Sequence, residues 1–256
     1  MKLLENLPFS IDQGLASRAS LGLIVLASDY TIEAEWNSIF NRLPGVSLYH
    51  SRIQNDDEIT PETLSAMEPR ITDCAAALTP GTPLDVVAYG CTSATTTLGE
   101  ERVFDNIRKA KPEARCTTPI TAAFAAFSAF GAKRIAVLTP YTASVNRIVA
   151  DYITRHGFEV PVFGSFNEPL DSVVCRISPD SIASGVEALR HQAEVDAVFV
   201  SCTSVRLVEQ CEALEQTIGL PLTSSNHAMA WHACRLAGID DNITGLGSLF
   251  KLPLNE

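Results

Sequence analysis

Two copies of one tripeptide hold most of the reactive chemistry in this sequence. Cys91-Thr92-Ser93 follows the run DVVAYG, and Cys202-Thr203-Ser204 follows DAVFVS. A cysteine acts as nucleophile or base only as its thiolate, and free N–H groups at a helix start lower the thiol pKa. Neither 86–99 nor 197–205 contains a charged side chain. The expected support for a thiolate is therefore backbone amide plus the hydroxyls of Thr92, Ser93, Thr203 and Ser204. The same groups form a nest suited to a carboxylate. The other five cysteines, Cys74, Cys116, Cys175, Cys211 and Cys234, have no repeat partner and read as small apolar side chains.

The elements that must position these triplets read as alternating strands and helices. Strands are expected over 21–27, 46–50, 85–90, 134–139, 158–163, 197–201 and 220–222. Helices are expected over 30–42, 120–130 (closed by Gly131) and 143–156 (closed by Gly157), and one opens at Thr60-Pro61-Glu62. Short apolar runs between helical stretches predict parallel βαβ units with helices on both faces. The chain also repeats itself. DVVAYGCTS recurs as DAVFVSCTS at an offset of 111, and GLIVLASDYT pairs with RIAVLTPYTA at an offset of 112. Two matches at nearly one offset point to a duplicated half-sized unit. Each triplet is expected at a strand's carboxyl end and a helix's start, where ligands bind in open α/β sheets. Two lobes facing across a pseudo-twofold would set Cys91 and Cys202 on opposite sides of one cleft.

Composition bounds the function. The chain has 256 residues, 46% hydrophobic and 19% charged, which suits one or two globular domains. A net charge of −11 argues against nucleic acid and against an anionic membrane surface as partners. No apolar stretch reaches the roughly 18 residues of a membrane span. The first twenty residues lack a signal-peptide pattern, and seven cysteines without framework spacing suit reduced thiols, so a cytoplasmic protein is expected.

Other motifs carry less. His227 and His232 stand about 140° apart on a helix and do not share a face as zinc ligands would. Gly245-Leu246-Gly247 lacks the third glycine and the preceding strand of a dinucleotide site. Ser224-Ser225-Asn226, after the last strand, either lines the cleft or caps the following helix.

With these residues in view the sequence resembles the Asp/Glu racemase superfamily, in particular the branch of maleate cis–trans isomerases, arylmalonate decarboxylases and racemase-like proteins of ectoine-utilisation clusters. The resemblance runs from Leu21 to about Gly238. It is carried by VLASDYTIEAEW, YGCTSATTTLGEERV, VLTPYTASV, VSCTSVRL and SSNHAMAWHACRLAG. It implies an α/β fold of two similar lobes, each a four-stranded parallel sheet flanked by helices, with the site in the cleft between them. The first lobe would comprise 1–118 plus 223–256 and the second 119–222. It also implies catalysis without a cofactor, by Cys91 and Cys202 as opposed catalytic thiols on a small carboxylate substrate. Tyr141 matches a tyrosine that contacts a substrate carboxylate in the isomerases. Asp29 and Asp171 fall where the isomerases carry asparagines, with Asn167 as an alternative to Asp171. Asp29 would either disfavour a second substrate carboxylate and favour an amino acid or derivative, or cap the helix after it. The expected activity is a racemase or isomerase. A maleate isomerase, a decarboxylase-type lyase with a dispensable Cys91 and a non-catalytic carboxylate clamp are the alternatives. Oligomeric state, including a homo-oligomer, is left open.

Overall fold

The computed structural model describes residues 1–255, and it contains two four-stranded parallel sheets. The first takes β1 (Ala19–Leu26), β2 (Val46–Ile53), β3 (Val86–Gly90) and β4 (Arg115–Thr117), in the order β2-β1-β3-β4. Between them run α1 (Ile32–Phe40), α2 (Pro61–Ser65), α3 (Ile71–Ala77), α4 (Thr92–Leu98) and α5 (Glu100–Arg108). Helix α6 (Pro119–Phe130) leads to the second sheet: β5 (Arg134–Thr139), β6 (Glu159–Ser165), β7 (Ala197–Val200) and β8 (Leu222–Ser224), in the order β6-β5-β7-β8. Its helices are α7 (Ala143–Arg155), α8 (Asp171–Val174), α9 (Pro179–Arg190) and α10 (Cys211–Ile218), with α11 (Ser225–Leu236) following β8. The strand orders are the same, so the duplication inferred from two short matches extends to the whole sheet. The fold is the expected two-lobe α/β arrangement.

The central strands β3 and β7 are buried at every residue, as near-continuous apolar strands of parallel sheets must be. Each is third in its unit, and each ends one or two residues before a Cys-Thr-Ser. One hydrophobic core extends from Ile24, Val87 and Tyr89 through Phe127 to Val137, Phe199 and Leu222, and so joins the two sheets. A second fills the other face of the first sheet, where Leu23 and Val25 meet Ile32, Trp36, Trp231 and Phe250 from α1, α11 and the C-terminal turn.

Four expectations need correction. Strand β4 is absent from the expected set: three residues headed by an exposed arginine carry no periodicity to detect. The last strand begins at Leu222 and not at residue 220, because Pro221 has no N–H for the ladder and contributes only its carbonyl, to Val198 N–H. Helix α1 starts at Ile32, two residues late, because Asp29 shapes the turn before it. Lastly, no helix starts at Cys202: the chain runs through a loop and a single 3₁₀ turn, Val208–Gln210, before α10.

Candidate active site

Cys91 occupies the helix start that its sequence suggests. Strand β3 ends at Gly90, where an added Cβ would lie 3.0 Å from both Ile24 O and the Ile32 side chain, a contact tight enough that a side chain there would push on β1 or on Ile32. Cys91 is then the N-cap of α4, in extended backbone, and its Sγ accepts the Ala94 N–H at 3.4 Å. The hydroxyl nearest the sulfur is that of Ser93, at 3.7 Å. Burial pushes the Cys91 thiol up to about 12, against the smaller opposite pull of the Ala94 amide and Ser93.

Cys202 is seated differently. Its φ is +146°, in the region that favours glycine, and it has no following helix to cap. Its N–H donates to Ser225 Oγ at 3.0 Å, and Ser225 Oγ is 2.8 Å from Thr92 Oγ1. The Thr203 hydroxyl donates to Gly90 O at 3.2 Å. The two triplets are therefore tied to each other directly and through α11. Burial raises the Cys202 thiol well above its ordinary range and Asp171 adds to this, while Tyr141 and the Ser204 N–H pull it down.

Both thiols line one enclosed cavity. Its floor is Cys91, Thr92, Ser93, Cys202 and Thr203, with Tyr141 and Asp171 at the side. Its roof is the segment after β2: Asn55, Asp56, Glu58, Ile59, Thr63, Leu64 and Met67. The cavity leaves about 20 Å³ for the centre of a water-sized sphere, room for a water molecule but not for a dicarboxylate. The roof is latched to the other lobe. Glu58 bridges Leu170, Ile59 N–H donates to Pro169 O, and Asp57 accepts from both the N–H and the hydroxyl of Ser172, each at 2.8 Å. No lining residue is Lys, Arg or His, whereas Asp56, Glu58 and Asp171 are acids.

The remaining expected residues fall into place around this cavity. Asp171, buried, starts α8 and accepts from Ser204 Oγ at 2.7 Å and from Ser28 Oγ. Desolvation raises its carboxyl. Asn167 is exposed and lies outside the lining, whereas Asp171 is part of it. Asp29 is fully buried behind the wall. Its Oδ1 accepts from Thr31 N–H at 2.7 Å and Ile32 N–H at 2.9 Å, closing a turn just ahead of α1, whose own N-cap Thr31 makes no side-chain cap bond, while Oδ2 has no hydrogen-bond partner. Burial pushes this carboxyl up to about 6. Ser204 also stands behind the lining, bound to Asp171.

Residues 224–226 resolve toward the helix-start reading. Ser224 caps α11 by accepting His227 N–H at 3.2 Å, and none of the three lines the cavity. His227 and His232 are buried against Thr223, Leu246 and Thr117, and burial lowers each to about 4. Among the described residues no group of three His, Cys, Asp or Glu side chains is placed to hold a metal ion. All seven thiols are free.

Sequence reasoning missed Glu35. It falls on the apolar stripe Ile32-Glu35-Trp36-Ile39 of α1, and that spacing alone assigns it to the buried face of the helix. Its Oε1 accepts from Leu207 N–H at 2.6 Å and Val208 N–H at 2.8 Å, and its Oε2 from Asn226 Nδ2 at 2.7 Å. Burial raises its carboxyl to about 7.

The model of the family described as arylmalonate decarboxylase matches residues 21–250, which takes in both sheets and both triplets. The chain belongs to the arylmalonate decarboxylase family. Within this family setting it is 25% identical over 240 residues to the maleate isomerase of Nocardia farcinica, covering 90% of this chain and 95% of that one. The solved structure of the Nocardia farcinica maleate cis–trans isomerase bound to TRIS superposes with a TM-score of 0.83 at 23% identity, over 91% of this chain and 98% of the other. A cysteine-to-serine variant of that isomerase, solved with a covalently bound succinylcysteine intermediate, gives a TM-score of 0.79 at 23% identity, over 91% and 98% of the two chains. These likenesses agree with the two-sheet architecture of this family member. Among its described residues no helix is long and apolar enough to cross a membrane.

Proposed function

We propose that this family member is a cofactor-independent isomerase or racemase of a small carboxylate, with Cys91 and Cys202 as the two reacting thiols. One observation carries the reading: the thiols of both duplicated triplets line the same small cavity. The matching isomerases, and the succinylcysteine found in one of them, support cysteine chemistry on a small carboxylate. With the reading goes a division into lobes of 1–118 plus 223–256, and 119–222.

In this mechanism the substrate carboxylate lies against the α4 start, taking hydrogen bonds from amides and the Thr92 and Ser93 hydroxyls, while the Thr203 hydroxyl stays committed to Gly90 O. One thiol reacts as its thiolate, its proton having passed to solvent water before the substrate enters, and removes a proton from the substrate carbon or adds to a double bond. The other, kept neutral by burial, donates its proton. Tyr141, adjacent to Cys202, orients the same carboxylate.

The acidic lining supports the substrate class. Asp171 is a buried carboxyl in the lining with no Lys, Arg or His beside it there, Asp29 adds a second buried carboxyl outside the lining, and Asp56 and Glu58 stand at the exposed rim. Like charges in a partly desolvated site repel more than in water. An amino acid or N-acylated amino acid, with an N–H to give, suits this wall better than maleate. The test is a panel of amino acids, N-acyl amino acids and maleate incubated in D₂O and read by mass spectrometry and NMR. Deuterium at the reacting carbon of a nitrogen-bearing product, with substrate recovered at low conversion still largely protiated, supports the proposal. Efficient isomerisation of maleate by the wild-type protein overturns the substrate class. Turnover that survives Cys91→Ser overturns the two-thiol mechanism in favour of a lyase.

A further inference from the structure

Cys202 stands in unfavourable backbone with no helix to hold it, yet its loop is held at several points from the other side of the lobe boundary. Thr31 on the approach to α1 donates to Ser204 O at 2.9 Å. Ser225 takes the Cys202 N–H. Asn226 Nδ2 donates to Thr203 O at 2.7 Å and, with the same group, to Glu35 Oε2. Glu35 Oε1 takes the N–H groups of Leu207 and Val208 together. Glu35 thus closes a frame around 202–208, gripping its far end directly and its near end through Asn226.

We propose that Glu35 is the positioning residue for the Cys202 thiol, holding the 202–208 loop from α1 and thereby fixing how that thiol faces the cavity. The chemistry of the frame requires a carboxylate. Two oxygens accept from opposite sides, three N–H groups converge on them, and no Lys, Arg or His among the described residues pairs with the group. A glutamine at this place keeps one oxygen for Leu207 and Val208 but turns an NH₂ toward the Asn226 NH₂. Flipping Asn226 does not repair this, because its oxygen would then face Thr203 O. The frame also accounts for a polar atom otherwise unexplained. Asn226 Oδ1 is buried without a partner because its amide is oriented by the demands of Glu35 and Thr203 on the other side. Glu35 does not line the cavity, so it acts through Cys202 and not on substrate.

This inference rests on the two-thiol reading only in giving Cys202 a task; its test needs no substrate. Iodoacetamide labelling with peptide mapping, run from pH 6 to 10, reports each thiol separately, and Cys91 serves as the internal control. Glu35→Gln loosens the loop and admits water to the Cys202 sulfur. The expected result is at least fivefold faster labelling of Cys202 at pH 8, with its pH–rate profile displaced to lower pH and Cys91 within twofold of wild type. Asn226→Ala, which removes the link from Glu35 Oε2 to Thr203 O but leaves the Glu35 Oε1 bonds to Leu207 and Val208, is expected to move Cys202 in the same direction by a smaller factor, and it provides the measurement should Glu35→Gln fold poorly. Parallel changes at both thiols mean general loosening and overturn the proposal, as does an unchanged Cys202 in either folded variant. A catalytically dispensable Cys202 would sink the proposed mechanism and leave this labelling result standing.

Discussion

The thiols and the carboxyl groups around them set expectations that single substitutions can check. Opposed acid and base roles predict that Cys91→Ser and Cys202→Ser each lower turnover by ~10²–10⁴-fold while the far-UV circular dichroism is unchanged. A loss confined to one variant would assign both proton transfers to a single thiol. Asp29 gives a stability prediction with a definite sign. Its folded carboxyl titrates near 6 against an ordinary 3.8, so the folded state binds more protons across that interval and wild-type stability falls as pH rises through it. Asp29→Asn keeps an oxygen for the Thr31 and Ile32 amides and removes the buried charge. Its stability should exceed wild type by about 1–3 kcal/mol at pH 7.5, with the advantage gone by pH 4, in urea titrations at the two pH values. An advantage independent of pH would contradict a buried charged carboxyl. Of the site residues, Cys91 and Cys202 were legible because a reactive side chain was repeated at one offset. Asp171 was legible only through family resemblance. Glu35 was hidden because its partners, Leu207, Val208 and Asn226, lie over 170 residues away and nothing local announces them.

At the level of elements, sequence signals worked where they were local. The strands β3 and β7 are continuous apolar runs, Gly131 ends α6 in left-handed backbone as its position suggests, and Thr60-Pro61 opens α2 with a reciprocal cap to Thr63. The signals failed where a tertiary partner replaced a local one. A triplet identical to that at Cys91 starts no helix at Cys202, because the N–H groups of the loop are satisfied by Ser225 and Glu35 instead of by helical carbonyls. Helix α2 makes a prediction of its own. It has five residues, and its Thr63 and Leu64 form part of the cavity roof, so its cap matters more than its length. Thr60→Ala should cost about 1 kcal/mol in a thermal or urea melt. It should also raise hydrogen exchange in 58–66 more than in β3. Uniform exchange changes across the chain would mean that the cap serves global stability alone.

Considered as a whole, the molecule is two copies of one unit, latched over a cavity smaller than any substrate proposed for it. The roof is pinned across the cavity by the Asp57–Ser172 pair. Asp57→Ala should therefore speed iodoacetamide labelling of both Cys91 and Cys202 several-fold, in contrast to the single-thiol response expected from Glu35→Gln. Equal labelling of variant and wild type would show that the roof opens without releasing that pair. The duplication itself was legible, since parallel strands keep their apolar register over 111 residues of separation. The latch was not, because it joins short polar loops with no periodicity.

The unlike seats of the two thiols have a stereochemical consequence. One is set at a helix start and the other in a propped loop, so under the proposed mechanism the two faces of a planar intermediate would meet acids of different strength. For a racemisation the overall equilibrium constant is one whatever the protein does, which forces kcat/KM to be the same from either enantiomer. The individual kcat and KM values are under no such constraint. On the proposed racemase reading, the unlike loops predict a handedness in the kinetics, with one enantiomer held more tightly and turned over more slowly than the other, which initial rates from each enantiomer would check.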